Sequence, residues 1–457
     1  MPAEHPVISD PLLAILGFAA VIVLLLFLIT RWKWHVFLAL LIPLILFGLF
    51  PGIQRNEFIS AFETGFGKTL GKIGVVIVLG SIIAEALKHT GAITVITRAM
   101  IRLVGGRNMP LALTLTGFVL GIAIFSDVAF VILNPLVHSA AAAMGVSIGV
   151  MSIGLVGSLQ LTHAIVPPTP GPLAAAALVG ADIGKVILYG GIACLMGSLA
   201  CWIWGQFIAG PRIKTGPSEE FSDPELLNLE SSNETKLPGT FMSFLPIAVP
   251  VILITARSIS QLFLAETNPI RTALDYLGWP VVSIAIGVAL AYLNIKNREQ
   301  KSAATSDWVE NALKVSAMIL VVTGLGGSLS EILKGTPAVD AVAGFFVESG
   351  LPTILLPFTL GVIGNMITGS TTVGVITAAS LSAPLLGQIG LSPEAAMLSG
   401  ACGSVIIKYV NSSYFWICTS LTRLTPGAGV FAYGGATFAG GIVSFLVVCV
   451  MWKLGWI

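Results

Sequence analysis

The sequence predicts an all-α polytopic membrane protein built from two related halves, and three observations carry that prediction. Hydrophobic residues make up 55% of the 457 positions and charged residues 10%, with a mean hydropathy of +0.95, whereas a soluble domain carries about 25% charged residues. Apolar runs at 12–30, 36–50, 239–263, 279–293 and 430–452 are candidates to cross a hydrocarbon core that needs about 20 apolar residues. Residues 73–96 align without a gap on 319–342 at an offset of 246, with ten of 24 positions identical. The identities include Glu85/Glu331, Lys88/Lys334 and Thr90/Thr336, and a shared Glu-x-Leu-Lys-x-Thr is hard to obtain by chance from apolar sequence.

Taken in order, the apolar runs give roughly ten to fourteen membrane segments. Several are interrupted by Gly, Pro and polar clusters, which lipid tolerates only where the broken backbone is buried in protein or lines a cavity. Two inverted-topology repeats with re-entrant or discontinuous helices are therefore expected, with residues 1–211 and 239–457 each holding two leading spans and one repeat. Between them, 212–238 is polar, acidic and Pro-bearing and reads as a cytoplasmic linker. Arg31 and Lys33, then Arg98, Arg102 and Arg107, then Lys296, Arg298 and Lys301 mark further cytoplasmic loops. That places the amino terminus outside and Lys88 and Lys334 on opposite sides. The amino-terminal residues lack a basic n-region, so the first span is expected to be retained.

A net charge of +1 gives no support to a nucleic-acid partner. Cys194, Cys201, Cys402, Cys418 and Cys449 are scattered without metal-ligand spacing and read as small core residues. No cofactor and no metal are expected. The lipid bilayer is the first partner, and a homo-oligomer is left open.

Polar clusters at bilayer depth mark the candidate site. In the first half Ser126, Asp127 and Asn134-Pro135 interrupt an apolar stretch, and in the second Asn365, Thr368, Ser370, Thr371 and Thr372 do so. Further on, Leu-Thr-His-Ala-Ile-Val-Pro-Pro-Thr-Pro-Gly-Pro at 161–172 faces Ile-Lys-Tyr-Val-Asn-Ser-Ser at 407–413, and the offset of 246 pairs Thr162 with Lys408. Pro167, Pro168, Pro170 and Pro172 should break the first helix. Asn411, Ser412 and Ser413 compete for backbone bonds in the second. Half-helix amino termini suit a carboxylate, and unwound carbonyls suit a cation. The hydroxyls have a plainer reading as bonds to a carbonyl one turn back or as glue between helices. His163 could be a satisfied core histidine, and His138 reads as structural. Asp127 and Lys408 stand out because an ionisable group at bilayer depth costs about 2.5–3.5 kcal/mol even on lenient scales. A mutual ion pair that only locks the halves is the alternative. Glu85/Lys88 and Glu331/Lys334, spaced i, i+3, read as interfacial pairs.

At Gly65–Gly74 (GFGKTLGKIG), Thr162–Pro172 (THAIVPPTPGP), Gly369–Ala379 (GSTTVGVITAA) and Gly403–Asn411 (GSVIIKYVN) the chain resembles the gluconate:proton symporter, or gluconate permease, family. The likeness runs over nearly the whole chain. It implies the ion-transporter superfamily architecture, a multi-pass place in the bacterial inner membrane, and a small anionic substrate moved with a proton. Departures bear on the substrate. Asp127-Val128-Ala129-Phe130 stands where the family has Glu-Val-Gly-Phe, and Thr169-Pro170-Gly171-Pro172 where it has His-Pro-Gly-Pro. Asn365 replaces its usual Arg, and Lys408 a small polar residue, as though the cation has moved from one broken segment to another.

The expected function is proton-coupled symport of a small hydroxylated carboxylate such as gluconate by alternating access. Asp127 or His163 would hold the coupling proton, being groups that a buried setting can bring to titrate near neutrality. Ser126, Thr162, Thr169, Asn365, Ser370, Thr371, Thr372, Asn411, Ser412 and Ser413 would bond the substrate, with Lys408 opposing its charge. Rivals are a sodium-coupled carboxylate or D-amino-acid carrier of the same architecture, and an intramembrane enzyme using Asp127 and His163. The sequence holds no nucleophile elbow or His-Glu-x-x-His to favour the enzyme.

Overall fold

The computed structural model describes residues 7–8, 10–32, 34–105, 108–219, 237–295, 298–333, 337, 348, 350–409 and 412–457. Lys334, Asn411 and most of the linker, 220–236, lie outside them. The first half contains α1 (Pro11–Thr30), α2 (Val36–Phe47), α3 (Arg55–Thr90), α4 (Ala92–Val104), α5 (Met109–Gly121), α6 (Ser126–Met144), α7 (Ile148–Ile165), α8 (Pro170–Val179) and α9 (Ile183–Ile203). The second contains α10 (Thr240–Phe263), α11 (Pro269–Leu277), α12 (Pro280–Leu293), α13 (Arg298–Thr305), α14 (Asp307–Leu333), α15 (Leu355–Thr368), α16 (Thr371–Ser382), α17 (Leu386–Ile389), α18 (Pro393–Ile406), α19 (Ser413–Leu421), α20 (Pro426–Gly429) and α21 (Gly435–Lys453). All the described regular structure is helical, as backbone groups in lipid require.

Local sequence places corresponding boundaries in the two halves. Gly145 ends α6 and Gly390 ends α17, both at φ 63° and ψ 31°, a left-handed conformation that glycine adopts without a Cβ penalty. Two residues on, Ser147 caps α7 by accepting from Val150 N, and Ser392 caps α18 by accepting from Ala395 N. Both helices unwind into extended backbone, at Val166 (φ −103°) and Ile407 (φ −104°). The second one does so earlier, because α18 has 14 residues where α7 has 18. Lys408 therefore stands one residue past the point of unwinding, whereas Thr162, its partner at the offset of 246, lies inside α7.

Equivalent helices run antiparallel in two pairs. Along α3 and α14, Phe62 O accepts from Ser328 Oγ and, further along α3, Ser81 meets Ser316, so one number rises as the other falls. Along α9 and α21, Cys201 Sγ meets Ala436 O and Ala193 O accepts from Ser444 Oγ. A two-fold axis lying in the membrane plane produces this arrangement, so the packing is compatible with inverted-topology repeats.

Six described helical stretches are long and apolar enough to cross a membrane, or up to eight if two bent pairs each count as one span. The additional segments in the sequence estimate fall on short apolar helices such as Met109–Gly121, Leu355–Met366 and Thr371–Ser382. At the periphery Glu85 pairs with Lys88 at 3.6 Å and with His89 at 3.2 Å, whereas Glu331 takes Lys68 at 3.6 Å. The cysteines are free; Cys194, Cys201, Cys402 and Cys418 are buried and Cys449 is half-buried.

Candidate functional site

Four interruptions of helix meet in the interior: 122–125 before α6, 166–169 before α8, 369–370 before α16, and one before α19 of which 407–409 and 412 are described. Pro167 and Pro168 lie in the second interruption, and Pro170 and Pro172 in the first turn of α8, where a missing N–H costs nothing. Thr169 holds that break closed, its hydroxyl lying 2.9 Å from both His163 O and Val166 O. The start of α8 abuts the start of α16, since a Cβ at Gly171 would stand 3.3 Å from Thr372 Cα. Glycine is what permits that approach.

Two polar clusters occupy the junction. In one, Gln160 on α7 joins both discontinuous spans: Ser126 Oγ donates to its Oε1 at 3.4 Å, and its Nε2 donates to Thr371 Oγ1 at 2.8 Å. Gln160 is 2% exposed and escaped the sequence reading; its signal was a long amide inside the apolar run Gly-Ser-Leu-Gln-Leu-Thr-His. In the other, Lys408 Nζ donates to Asn365 Oδ1 at 3.3 Å, Gly369 O at 3.2 Å and Ser412 Oγ at 3.3 Å. Asn365 Nδ2 in turn donates to Ile407 O at 2.6 Å, tying the end of α15 to the last break. Lys408 is 4% exposed.

His163 lies between the clusters. The Phe125 ring covers it at 5.2 Å. Among the described residues, the buried His163 Nδ1, Thr162 Oγ1 and Asn134 Oδ1 find no hydrogen-bond partner. Such orphans cost about 1–3 kcal/mol each, which is a reason to look for a ligand. Asp127 is half-buried, and its Oδ1 accepts from Val128 N at 2.9 Å. Lys408 gives its hydrogen bonds to neutral oxygens, so the locking Asp127–Lys408 ion pair does not form here.

The remaining predicted residues take local roles. Ser370 Oγ accepts from Val373 N at 3.3 Å and caps α16, and Ser413 is exposed at the start of α19. Thr368 bonds Gly364 O one turn back. His138 bridges Leu421 O at 3.0 Å and Ser218 N at 2.9 Å, a structural arrangement. No group of three or more His, Cys, Asp or Glu side chains suited to a metal occurs among the described residues. The space beside the breaks is narrow: one cavity of about 10 Å³ lies against Ser81, Phe125 and Pro168, and one of about 40 Å³ runs from Glu85 and Lys88 to Phe125. The smaller has room for about one water.

Known proteins agree with this architecture. Residues 13–455 match the model of the GntP family permease. The chain is 29% identical to the high-affinity gluconate transporter of Escherichia coli K12, covering 89% of this chain and 92% of that one. It is 30% identical to the D-serine transporter DsdX of the same organism, covering 93% and 94%. In structure it is similar to Neisseria gonorrhoeae MtrF, with a TM-score of 0.63, 13% identity and coverage of 98% and 96%; at that identity the likeness speaks for the fold alone. Apolar helices broken at the centre, and a family match over nearly all residues, lead to one conclusion: the chain belongs to the GntP permease family, multi-pass proteins of the bacterial inner membrane that carry small molecules across the bilayer.

Proposed function

We propose that this permease is a proton-coupled symporter importing a small hydroxylated carboxylate, such as gluconate or a related sugar acid, by alternating access. One observation carries the reading: Lys408 has its hydrogen bonds satisfied by neutral oxygens deep in the protein, while no carboxylate among the described residues pairs with its charge. A buried cation without a counter-charge is costly, and an anionic substrate beside it supplies the missing sign. The unpartnered Thr162 and His163 atoms and the Ser126–Gln160–Thr371 chain offer neutral donors and acceptors for hydroxyl groups. Asn365, at the position where the resemblance implies an Arg, touches Lys408, which supports the cation having moved between neighbouring breaks. Asp127 or His163 holds the coupling proton. Two small cavities beside Phe125 fit a carrier whose halves part to admit substrate.

The test is uptake by proteoliposomes under an inward proton gradient in sodium-free buffer, offering labelled gluconate, other aldonates, glycerate and D-serine separately. The expected result is accumulation of gluconate or another aldonate that collapses with a protonophore. Accumulation that requires sodium and ignores the protonophore would overturn proton coupling, and uptake of D-serine alone would overturn the substrate class.

A further inference from the structure

We propose that the Lys408 ammonium is a tethered cation filling an oxygen cage of the kind that otherwise binds a free alkali ion, and that this makes the carrier independent of sodium. The cage draws on three separate pieces of chain. Asn365 Oδ1 comes from the last turn of α15, Gly369 O from the residue that ends it, and Ser412 Oγ from the residue that precedes α19. Gly369 sits at φ 71°, which turns its carbonyl out of the helical ladder. An amide oxygen, a backbone carbonyl and a hydroxyl are hard neutral donors, and unwound carbonyls at half-helix ends are the groups by which carriers hold sodium.

The electrostatics have the same sign. Lys408 follows closely on the carboxy-terminal end of α18 and reaches the carboxy-terminal end of α15, and each such end carries partial negative charge that favours a cation. An ammonium has three N–H bonds to place, and the cage accepts three. The second Asn365 hydrogen bond, to Ile407 O, braces the cage across the break. A mobile ion entering here would have to displace a covalently attached one whose valences are already met. Lys408 thus positions the two second-half breaks and sets the local charge; in this arrangement it has no N–H left to bond the substrate directly.

The cage is read from geometry, while its consequence for transport rests on the symport reading above, so the first readout needs no uptake. Thermal unfolding of the purified protein is compared in sodium, methylammonium and choline chlorides at equal ionic strength. Wild type should unfold at the same temperature in all three. Lys408→Ala, which empties the cage, should be stabilised by sodium or methylammonium over choline by about 2–4 °C at saturating salt. Its uptake, lost in choline, should return in part with the same ions. If Lys408→Ala is not recovered folded, Lys408→Ser supplies a further oxygen to the same cage and is read identically. Recovery of either variant only in sodium or methylammonium supports the proposal. Variants that behave alike in all three salts, or a wild type that sodium stabilises as strongly as the variant, overturn it. Wild-type uptake that requires sodium overturns the sodium independence proposed here even if the unfolding pattern is intact, whereas absence of uptake in every salt with that pattern intact counts against the symport reading and leaves the cage standing.

Discussion

At Gln160 a single buried amide accepts from Ser126 and donates to Thr371, so one side chain holds the amino termini of both discontinuous spans. Replacing it by Leu leaves two hydroxyls inside the protein without that partner, a loss of about 1–3 kcal/mol. Uptake at limiting substrate should fall roughly ten- to hundredfold with surface expression retained; unchanged uptake would reduce Gln160 to packing. Asp127 calls for a different measurement, since a coupling group separates driving force from passage. Asp127→Asn should lose gradient-driven accumulation while still exchanging labelled for unlabelled substrate in counterflow. Full accumulation by that variant would move the proton to His163, the other titratable group of the site.

Elements meet here through their interruptions. The start of α8 lies against the start of α16 at Gly171 and Thr372, so a larger side chain at 171 has to push two helix ends apart. Overpacking of this kind costs about 1–3 kcal/mol. Gly171→Leu should therefore remain in the membrane yet lose at least about 90% of its uptake, because the damage falls on the site itself. Uptake close to wild type would show that these two ends need not touch. The prolines illustrate how far local sequence reaches. Four of them announce a break, but only Pro167 and Pro168 are inside it, while Pro170 and Pro172 begin the next helix. Proline forbids a helix interior and suits a first turn, and composition alone does not divide the two uses.

Across the molecule, the halves are joined by buried polar contacts as well as by apolar packing. Tyr433 OH meets Ser152 Oγ of α7 at 3.0 Å and Thr422 Oγ1 at 2.7 Å, two partners that lie outside the four breaks. Tyr433→Phe should lower stability by about 1–2 kcal/mol, seen as an earlier thermal unfolding midpoint in detergent, while uptake per folded molecule stays unchanged. An unaltered midpoint would mean that the hydroxyl adds nothing to the contact between halves. The antiparallel pairing of α3 with α14 and of α9 with α21 places equivalent helices face to face.

Much of this was legible in the chain. Hydropathy specified the membrane, because lipid admits few charged residues; the offset of 246 matched helices that pack antiparallel, an arrangement compatible with repeats; and prolines and clustered hydroxyls lay at or beside breaks. These are properties of short stretches, set by solvent, backbone sterics and missing donors. Which polar groups meet was decided by the tertiary structure alone. The sequence offset paired Lys408 with Thr162, yet α18 unwinds earlier than α7 and brings Lys408 to Asn365, Gly369 and Ser412. Gln160 gained its role only when α7 packed between the two broken spans. A hydrogen bond depends on ångström-scale position across segments more than 200 residues apart, and no periodicity within either segment encodes that distance.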